Sequence, residues 1–146
     1  MQSITIGKPQ AYLRLTAVRW PRDDSRPEIP REKRRFLAAE LHLKEVTARR
    51  ELDLNRDYAG LSTFFEHVAA HWHEWGNSRM VWGTGGELEL DFLRIEGPGG
   101  EPDYLILSLA LRNHGWHVQA WTVKTSMIVE DEELQRLARE LRELTD

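Results

Sequence analysis

The sequence predicts an α+β fold: a mainly antiparallel, curled β-sheet of about seven to eight strands, one helix in mid-chain and one C-terminal helix. Three observations support this prediction. Apolar residues recur at every second position in several short segments, which is typical of strands with one buried face. Their spacing changes to steps of three and four at about 57–75 and 130–144, which is typical of amphipathic helices. Short connections between the strand segments favour antiparallel pairing.

The size and composition are those of one globular domain. The chain has 146 residues, of which 40% are hydrophobic and 30% charged. We therefore treat residues 1–146 as a single domain. Residues 21–33 are rich in proline and charge, and proline removes backbone donors, so we expect an exposed, mobile loop there.

The first half of the chain predicts four strands. Residues 1–20 are expected to form two of them, separated by the break at Gly7 and Pro9, with Leu13 and Leu15 on one face. Alternation then continues through 37–44 and 46–54, and the short connection between these segments predicts an antiparallel hairpin.

The second half predicts three more strands. The first begins at Leu88, and its apolar phase changes after Phe92, for which a β-bulge is the expected cause. The second covers about 104–111 and ends in a turn at 113–115. The third, about 116–126, carries apolar residues on both faces, which predicts a central position in the sheet.

Two apolar stripes define the helices. Asn55 or Asp57 is expected to cap the first helix, and Gly76 is expected to end it in a left-handed conformation. Acidic residues at 130–133 form the start of the second helix, where they stabilise its positive N-terminal end. No internal repeat is evident. The stripe residues are Leu61, Phe64, Phe65, Val68, Trp72 and Trp75 in the first helix and Leu134, Leu137, Ala138, Leu141 and Leu144 in the second.

The first helix also carries a candidate metal site. His67, His71 and Glu74 fall at i, i+4 and i+7, and two imidazoles with a carboxylate can bind zinc. Val68 stands where a zinc-protease motif needs glutamate, and the histidines flank the buried stripe. Two interpretations stay open: a metal site, and solvent-exposed histidines beside a buried stripe, which we prefer.

Other chemistry is poorly represented. Cysteine is absent, and no nucleophile motif is present. The glycines at 83–86 precede a predicted strand, whereas a phosphate-binding loop needs a helix there. We therefore predict no catalytic residues and no cofactor. The net charge of −4 favours neither nucleic acid nor an anionic membrane as a partner. No membrane-spanning stretch or signal peptide is evident, so we expect a cytoplasmic protein.

Aromatic and basic residues suggest where a protein partner could bind. Tryptophan and arginine are enriched at interaction hot spots. The expected contacts with a partner, or with a second copy in a homodimer, are Trp20, Trp116, Trp121, Arg34 and Arg35. Three functions remain open: a non-catalytic protein-binding module, a metal-dependent enzyme or metal-binding protein, and a small-molecule binder with an aromatic pocket between helix and sheet.

One stretch carries a resemblance. It combines W-x-x-W at the end of a helix, a further tryptophan, and G-x-L-x-L at the start of a strand. These residues are Trp72, Trp75, Trp82, Gly86, Leu88 and Leu90. The pattern resembles a family of small bacterial proteins similar to immunity proteins of polymorphic toxin systems. The resemblance implies an antiparallel sheet with helices and a function in neutralising a toxin domain by binding it. The family pattern does not require histidine at 67 or 71.

Overall fold

The computed structural model describes residues 3–18, 36–53, 60–76, 78–84, 86–114 and 120–145. Within these ranges it contains eight antiparallel strands and two helices, so the predicted α+β class is confirmed. The strands form two four-stranded sheets instead of one curled sheet. The elements are β1 (Ser3–Lys8), β2 (Ala11–Val18), β3 (Phe36–His42), β4 (Thr47–Asp53), α1 (Leu61–His71), β5 (Arg79–Trp82), β6 (Leu88–Ile95), β7 (Tyr104–Asn113), β8 (Trp121–Val129) and α2 (Asp131–Thr145).

Sheet A consists of β1 to β4 in chain order. Its register places Leu13 between Ile6 and Leu41, and Leu41 beside Ala48. These side chains are buried and share the inner face, because directly opposed residues of antiparallel strands point to the same side. The predicted pairs of strands in this half of the chain are therefore confirmed.

Sheet B consists of β5 to β8, again in chain order. The pairing of β6 with β7 runs without interruption from Leu88 opposite Leu111 to Ile95 opposite Tyr104, so the β-bulge expected near Phe92 is wrong. Leu93 and Ile95 depart from the earlier alternation because they lie on the face of this sheet that points away from the core, and that face also carries apolar side chains. The short strand β5 was not predicted.

The position expected for the last strand is also wrong, because β8 is an edge strand. Its inner side chains, from Trp121 to Met127, are half-buried, whereas Thr122, Lys124, Ser126 and Ile128 are exposed. The apolar residues that suggested a second buried face belong to 116–120, which come before the strand in the sequence. Of this segment and its surroundings, 115–119 lie outside the described residues. Asn113 pairs with Trp121, so the connection covers 114–120 and is longer than the predicted turn.

The stripe of α2 is as predicted, and that of α1 is as predicted from Leu61 to Val68, but α1 ends at His71 and not near residue 75, so Trp72 and Trp75 lie beyond it. The predicted capping residues Asn55 and Asp57, with the loop at 21–33, lie outside the described residues, and Gly60, with a φ of 81°, is the N-cap of α1. A 3₁₀ turn, Trp72–Glu74, follows α1. Trp75 then adopts an extended conformation with ψ of 135°, so the chain leaves the helix before Gly76. The left-handed conformation predicted for Gly76 is therefore wrong, because its φ is not positive. Within the described ranges, no helix is long and apolar enough to span a membrane.

One contiguous apolar core joins the two sheets and the two helices. The helices pack against each other; α1 also contacts β5, and α2 contacts β1 and β2. Phe65 packs edge-on against Phe92, with ring centroids 5.5 Å apart. At the boundary between the sheets, Arg50 Nη2 donates to Glu87 Oε1 at 2.5 Å. The architecture thus repeats four strands and a helix, although the sequence shows no repeat.

Candidate functional site

The three residues of the candidate metal site lie at the exposed end of α1. The rings of His67 and His71 have centroids 4.7 Å apart, and His71 Nδ1 lies 3.3 Å from Glu74 Oε2. The His71 and Glu74 side chains are 47% and 74% exposed. In the part of the chain that the structure describes, no group of three His, Asp or Glu side chains could hold a metal ion. The geometry therefore gives the metal hypothesis no support.

The tryptophan of the same segment has a structural role. Trp72 is 4% exposed, and its indole Nε1–H donates to Asp131 Oδ1 at 2.8 Å, which joins the end of α1 to the start of α2. This hydrogen bond lowers the pKa of Asp131, partial burial opposes the change, and His73, 3.3 Å from the same oxygen, adds to it. Gln135 Nε2 further donates to the Ala69 carbonyl at 2.9 Å. These contacts stabilise the packing of the two helices.

The residues expected at a partner or dimer contact are only partly described. Trp20, Trp116, Arg34 and Arg35 lie outside the described residues. Trp121 is half-buried at the start of the edge strand β8, where it packs against the core.

The space between α1 and sheet B, where the alternative of a small-molecule binder would place an aromatic pocket, is occupied by Phe64, Phe65 and Phe92. Trp82 also contacts Phe64, with ring centroids 6.5 Å apart. These aromatic side chains therefore contribute to the core.

A different surface stands out: the face of sheet B that points away from the core, which we call the outer face. The described helices contact the core and not this face. Of the three exposed large hydrophobic residues in the described ranges, two lie on it: Val81 at 41% and Ile128 at 62% exposure. The outer face is formed by Arg79, Val81, Glu89, Asp91, Leu93, Ile95, Tyr104, Ile106, Ser108, Ala110, Arg112, Thr122, Lys124, Ser126 and Ile128.

Apolar side chains form a row across one end of the outer face. Ile106 is opposite Leu93 on one side and Ile128 on the other, so the three side chains lie next to each other on adjacent strands. Ile95 and Tyr104 are paired further along the same strands. We call Leu93, Ile106 and Ile128 the apolar row. Uncovered apolar side chains in adjacent positions on a sheet are a feature of interaction sites.

A polar groove of about 430 Å³ lies next to the apolar row. Small side chains, Ser108, Ala110 and Ser126, line its middle, whereas Glu89 and Asp91 on β6 and Arg112 and Lys124 on β7 and β8 extend around them. The groove exists because the strand register places short side chains between long ones.

Most polar groups of the groove are engaged within the protein. Arg112 Nη1 donates to the Gly86 carbonyl at 3.2 Å and lies 3.5 Å from Glu89 Oε2. Arg79 Nη1 lies 3.5 Å from Asp91 Oδ2. The hydroxyls of Ser108 and Ser126 are hydrogen-bonded to each other at 2.8 Å instead of to a histidine that could activate one of them.

The sequence held one signal of this face. Leu93 and Ile95 change phase within β6, which shows that both sides of the strand are partly apolar. The apolar row and the groove, however, depend on side chains from three strands, and only the register brings them together. No protein-family model matches the chain, and the search of curated proteins found no match either.

Proposed function

We propose that the protein is a non-catalytic, cytoplasmic protein-binding module, and that its partner binds the outer face of sheet B. The observation that carries the proposal is a sheet face that no helix covers within the described ranges, on which exposed apolar side chains adjoin a polar groove. The resemblance to immunity proteins of toxin systems adds a class of partner, a toxin domain that binding would neutralise.

The apolar row is the proposed anchor. Ile128 is 62% exposed, and Leu93 and Ile106 beside it are only partly buried. Interfaces derive most of their binding energy from a few side chains that become fully buried at the centre of contact, and this centre is more apolar than the rim. A partner that covers this row would remove these side chains from water without a change in the fold.

The groove is the proposed source of specificity. Lys124 is exposed on β8, and the neighbouring cations Arg79 and Arg112 lie near carboxylates of this chain. A partner with an apolar patch beside an Asp or Glu would place its carboxylate near Lys124. Complementary charge at the edge of an apolar contact chiefly determines the choice of partner and the rate of association.

Two matched variants test the proposal. Ile128→Glu places a charge in the apolar row, and Val46→Glu places the same charge at a side chain that is 46% exposed in the connection between β3 and β4. Each tagged variant would be used to capture proteins from the cells that produce the chain. We expect a specific protein to be retained by the wild type and by Val46→Glu but lost by Ile128→Glu.

Two results would count against the proposal. One is a partner that Ile128→Glu retains and Val46→Glu loses, because the binding surface would then lie elsewhere. The other is the recovery of no specific protein by the wild type at low salt. Circular dichroism of both variants would confirm that the fold is intact, since both positions are exposed.

A further inference from the structure

The edge strand β8 has features that the proposed function does not use. It is nine residues long, and within the described ranges it pairs only with β7. Its other edge therefore presents backbone donors and acceptors, which can pair with another strand. Along this edge Trp121, Val123 and Met127 are half-buried and pack against the core from one side.

The other sheet edges are protected in ways that β8 is not. β1 contacts α2 and contains Gly7, whose φ of 116° distorts the strand. β4 carries consecutive charges at Arg49, Arg50 and Glu51 and lies beside β7. β5 is only four residues long. Natural proteins block edge-to-edge pairing with charges, distortions and short strands. β8 has one charged residue, Lys124, and no proline.

We propose that β8 pairs antiparallel with β8 of a second copy of this chain, with the two-fold axis at Thr125. Each copy would then contribute four strands to one continuous eight-stranded sheet. This homodimer does not depend on the proposed function, because it uses the strand edge and leaves the outer faces of both copies open.

The side chains of β8 are self-complementary in this register. On the inner face, Trp121 would be opposite Val129 of the second copy, and Val123 opposite Met127. On the outer face, Lys124 would be opposite Ser126, and Thr122 opposite Ile128. A two-fold axis at Lys124 would instead place the two lysines opposite each other, which is unfavourable. The axis at Thr125 pairs all nine residues and brings apolar residues together on the inner face.

Substitution of Ser126 by opposite charges tests this register. Ser126 is exposed, and in the dimer it would be opposite Lys124 of the second copy. Ser126→Glu would create two attractive pairs per dimer and Ser126→Lys two repulsive ones. Both variants lose the same hydrogen bond to Ser108. Sedimentation of the purified proteins should give a dimer dissociation constant about tenfold or more higher for Ser126→Lys than for Ser126→Glu, with a smaller difference at high salt.

The matched control is Thr122, which is also exposed on β8. Its partner would be the apolar Ile128, so we expect Thr122→Lys and Thr122→Glu to change the dissociation constant equally. Equal effects of the two charges at Ser126, or a wild-type chain and a Ser126→Glu variant that stay monomeric at millimolar concentration, would overturn the proposal.

A disulfide test locates the axis. The natural chain has no cysteine, so a single introduced cysteine can form only an intermolecular bond. Directly opposed residues in an antiparallel pair have Cα atoms about 4.5 to 5.5 Å apart, which permits a disulfide. Under mild oxidation, Thr125→Cys should form a covalent dimer fastest, with Val123→Cys and Met127→Cys slower. A maximum at another position, or no covalent dimer, would refute pairing about Thr125.

Discussion

The hydrogen bond between Trp72 and Asp131 joins the two helices, and its removal should have a measurable cost. Trp72 is 4% exposed, so loss of the acceptor would leave a buried indole N–H without a partner. A hydrogen bond to a charged group contributes about 1.5 to 3 kcal/mol to the free energy of unfolding. The Asp131 side chain is 46% exposed, and solvent screening reduces this value. We therefore expect Asp131→Ala to cost about 1 to 2 kcal/mol.

Part of the cost of Asp131→Ala comes from the N-terminus of α2 and not from Trp72, and a double-mutant cycle separates these two contributions. Asp131 is the first residue of α2, where a carboxylate stabilises the helix by about 0.3 to 1 kcal/mol regardless of Trp72. Trp72→Phe removes the N–H and keeps an aromatic ring. In that background Asp131→Ala should lose only the contributions of the helix N-terminus and of the contact with His73, which leaves a coupling energy between Trp72 and Asp131 of about 1 kcal/mol.

The cycle can be measured by urea denaturation and the change in Tm by thermal denaturation, both followed by circular dichroism at neutral pH. We expect Asp131→Ala to lower Tm by about 2 to 8 °C, from about 2 to 4 °C per kcal/mol for a chain of this size. Asp131→Asn keeps an acceptor oxygen and should cost less than Asp131→Ala. A coupling energy indistinguishable from zero would refute the assignment of this bond as a link between the helices.

Three further predictions concern the core, one turn and pH. Phe92→Ala should cost about 3 to 5 kcal/mol in urea denaturation, because Phe92 is 0% exposed. Ile128→Ala should change the free energy of unfolding by less than about 0.5 kcal/mol. Equal costs would contradict the assignment of Phe92 to the inner face and Ile128 to the outer face of sheet B. Gly83→Ala should destabilise the protein more than Gly60→Ala. Both glycines have positive φ (74° and 81°), but only at Gly83 would the new Cβ meet backbone, at 2.3 Å from the Leu88 carbonyl oxygen. A larger cost at Gly60 would show that this contact is unimportant. The lowered pKa of Asp131 implies a contribution to stability that is present above the unfolded pKa of about 3.9 and is lost as pH falls through the folded pKa. The difference in unfolding free energy between wild type and Asp131→Asn should therefore shrink below about pH 4. A difference independent of pH would argue against this contribution of the Asp131 carboxylate.

Much of the fold could be predicted because burial alternates locally. The strand that contains Leu13 and Leu15 and the stripe that contains Phe65 and Val68 follow from the spacing of apolar residues alone. The division into two sheets did not follow, because it depends on which strands pair and not on the pattern within any of them. β5 was missed because four residues are too few to show alternation.

The candidate site was predicted less well, and the reason is physical. His67 and His71 are close in the sequence, so their spacing suggested a site, although no third ligand among the described residues completes one. Leu93, Ile106 and Ile128 are far apart in the sequence and meet only through the register of three strands. The change of phase at Leu93 marked the apolar outer face, but a bulge explained the same pattern equally well.

Binding at the outer face of sheet B is tested most directly by measuring affinity for the captured partner. The dissociation constant of the purified partner would be determined by calorimetry for the wild type, Ile128→Glu and Val46→Glu. We expect Ile128→Glu to bind at least about tenfold more weakly, a loss of about 1.4 kcal/mol, since a buried apolar contact is replaced by an unpaired charge. Val46→Glu should bind as the wild type does. Equal affinities of the wild type and Ile128→Glu would contradict the proposed binding face.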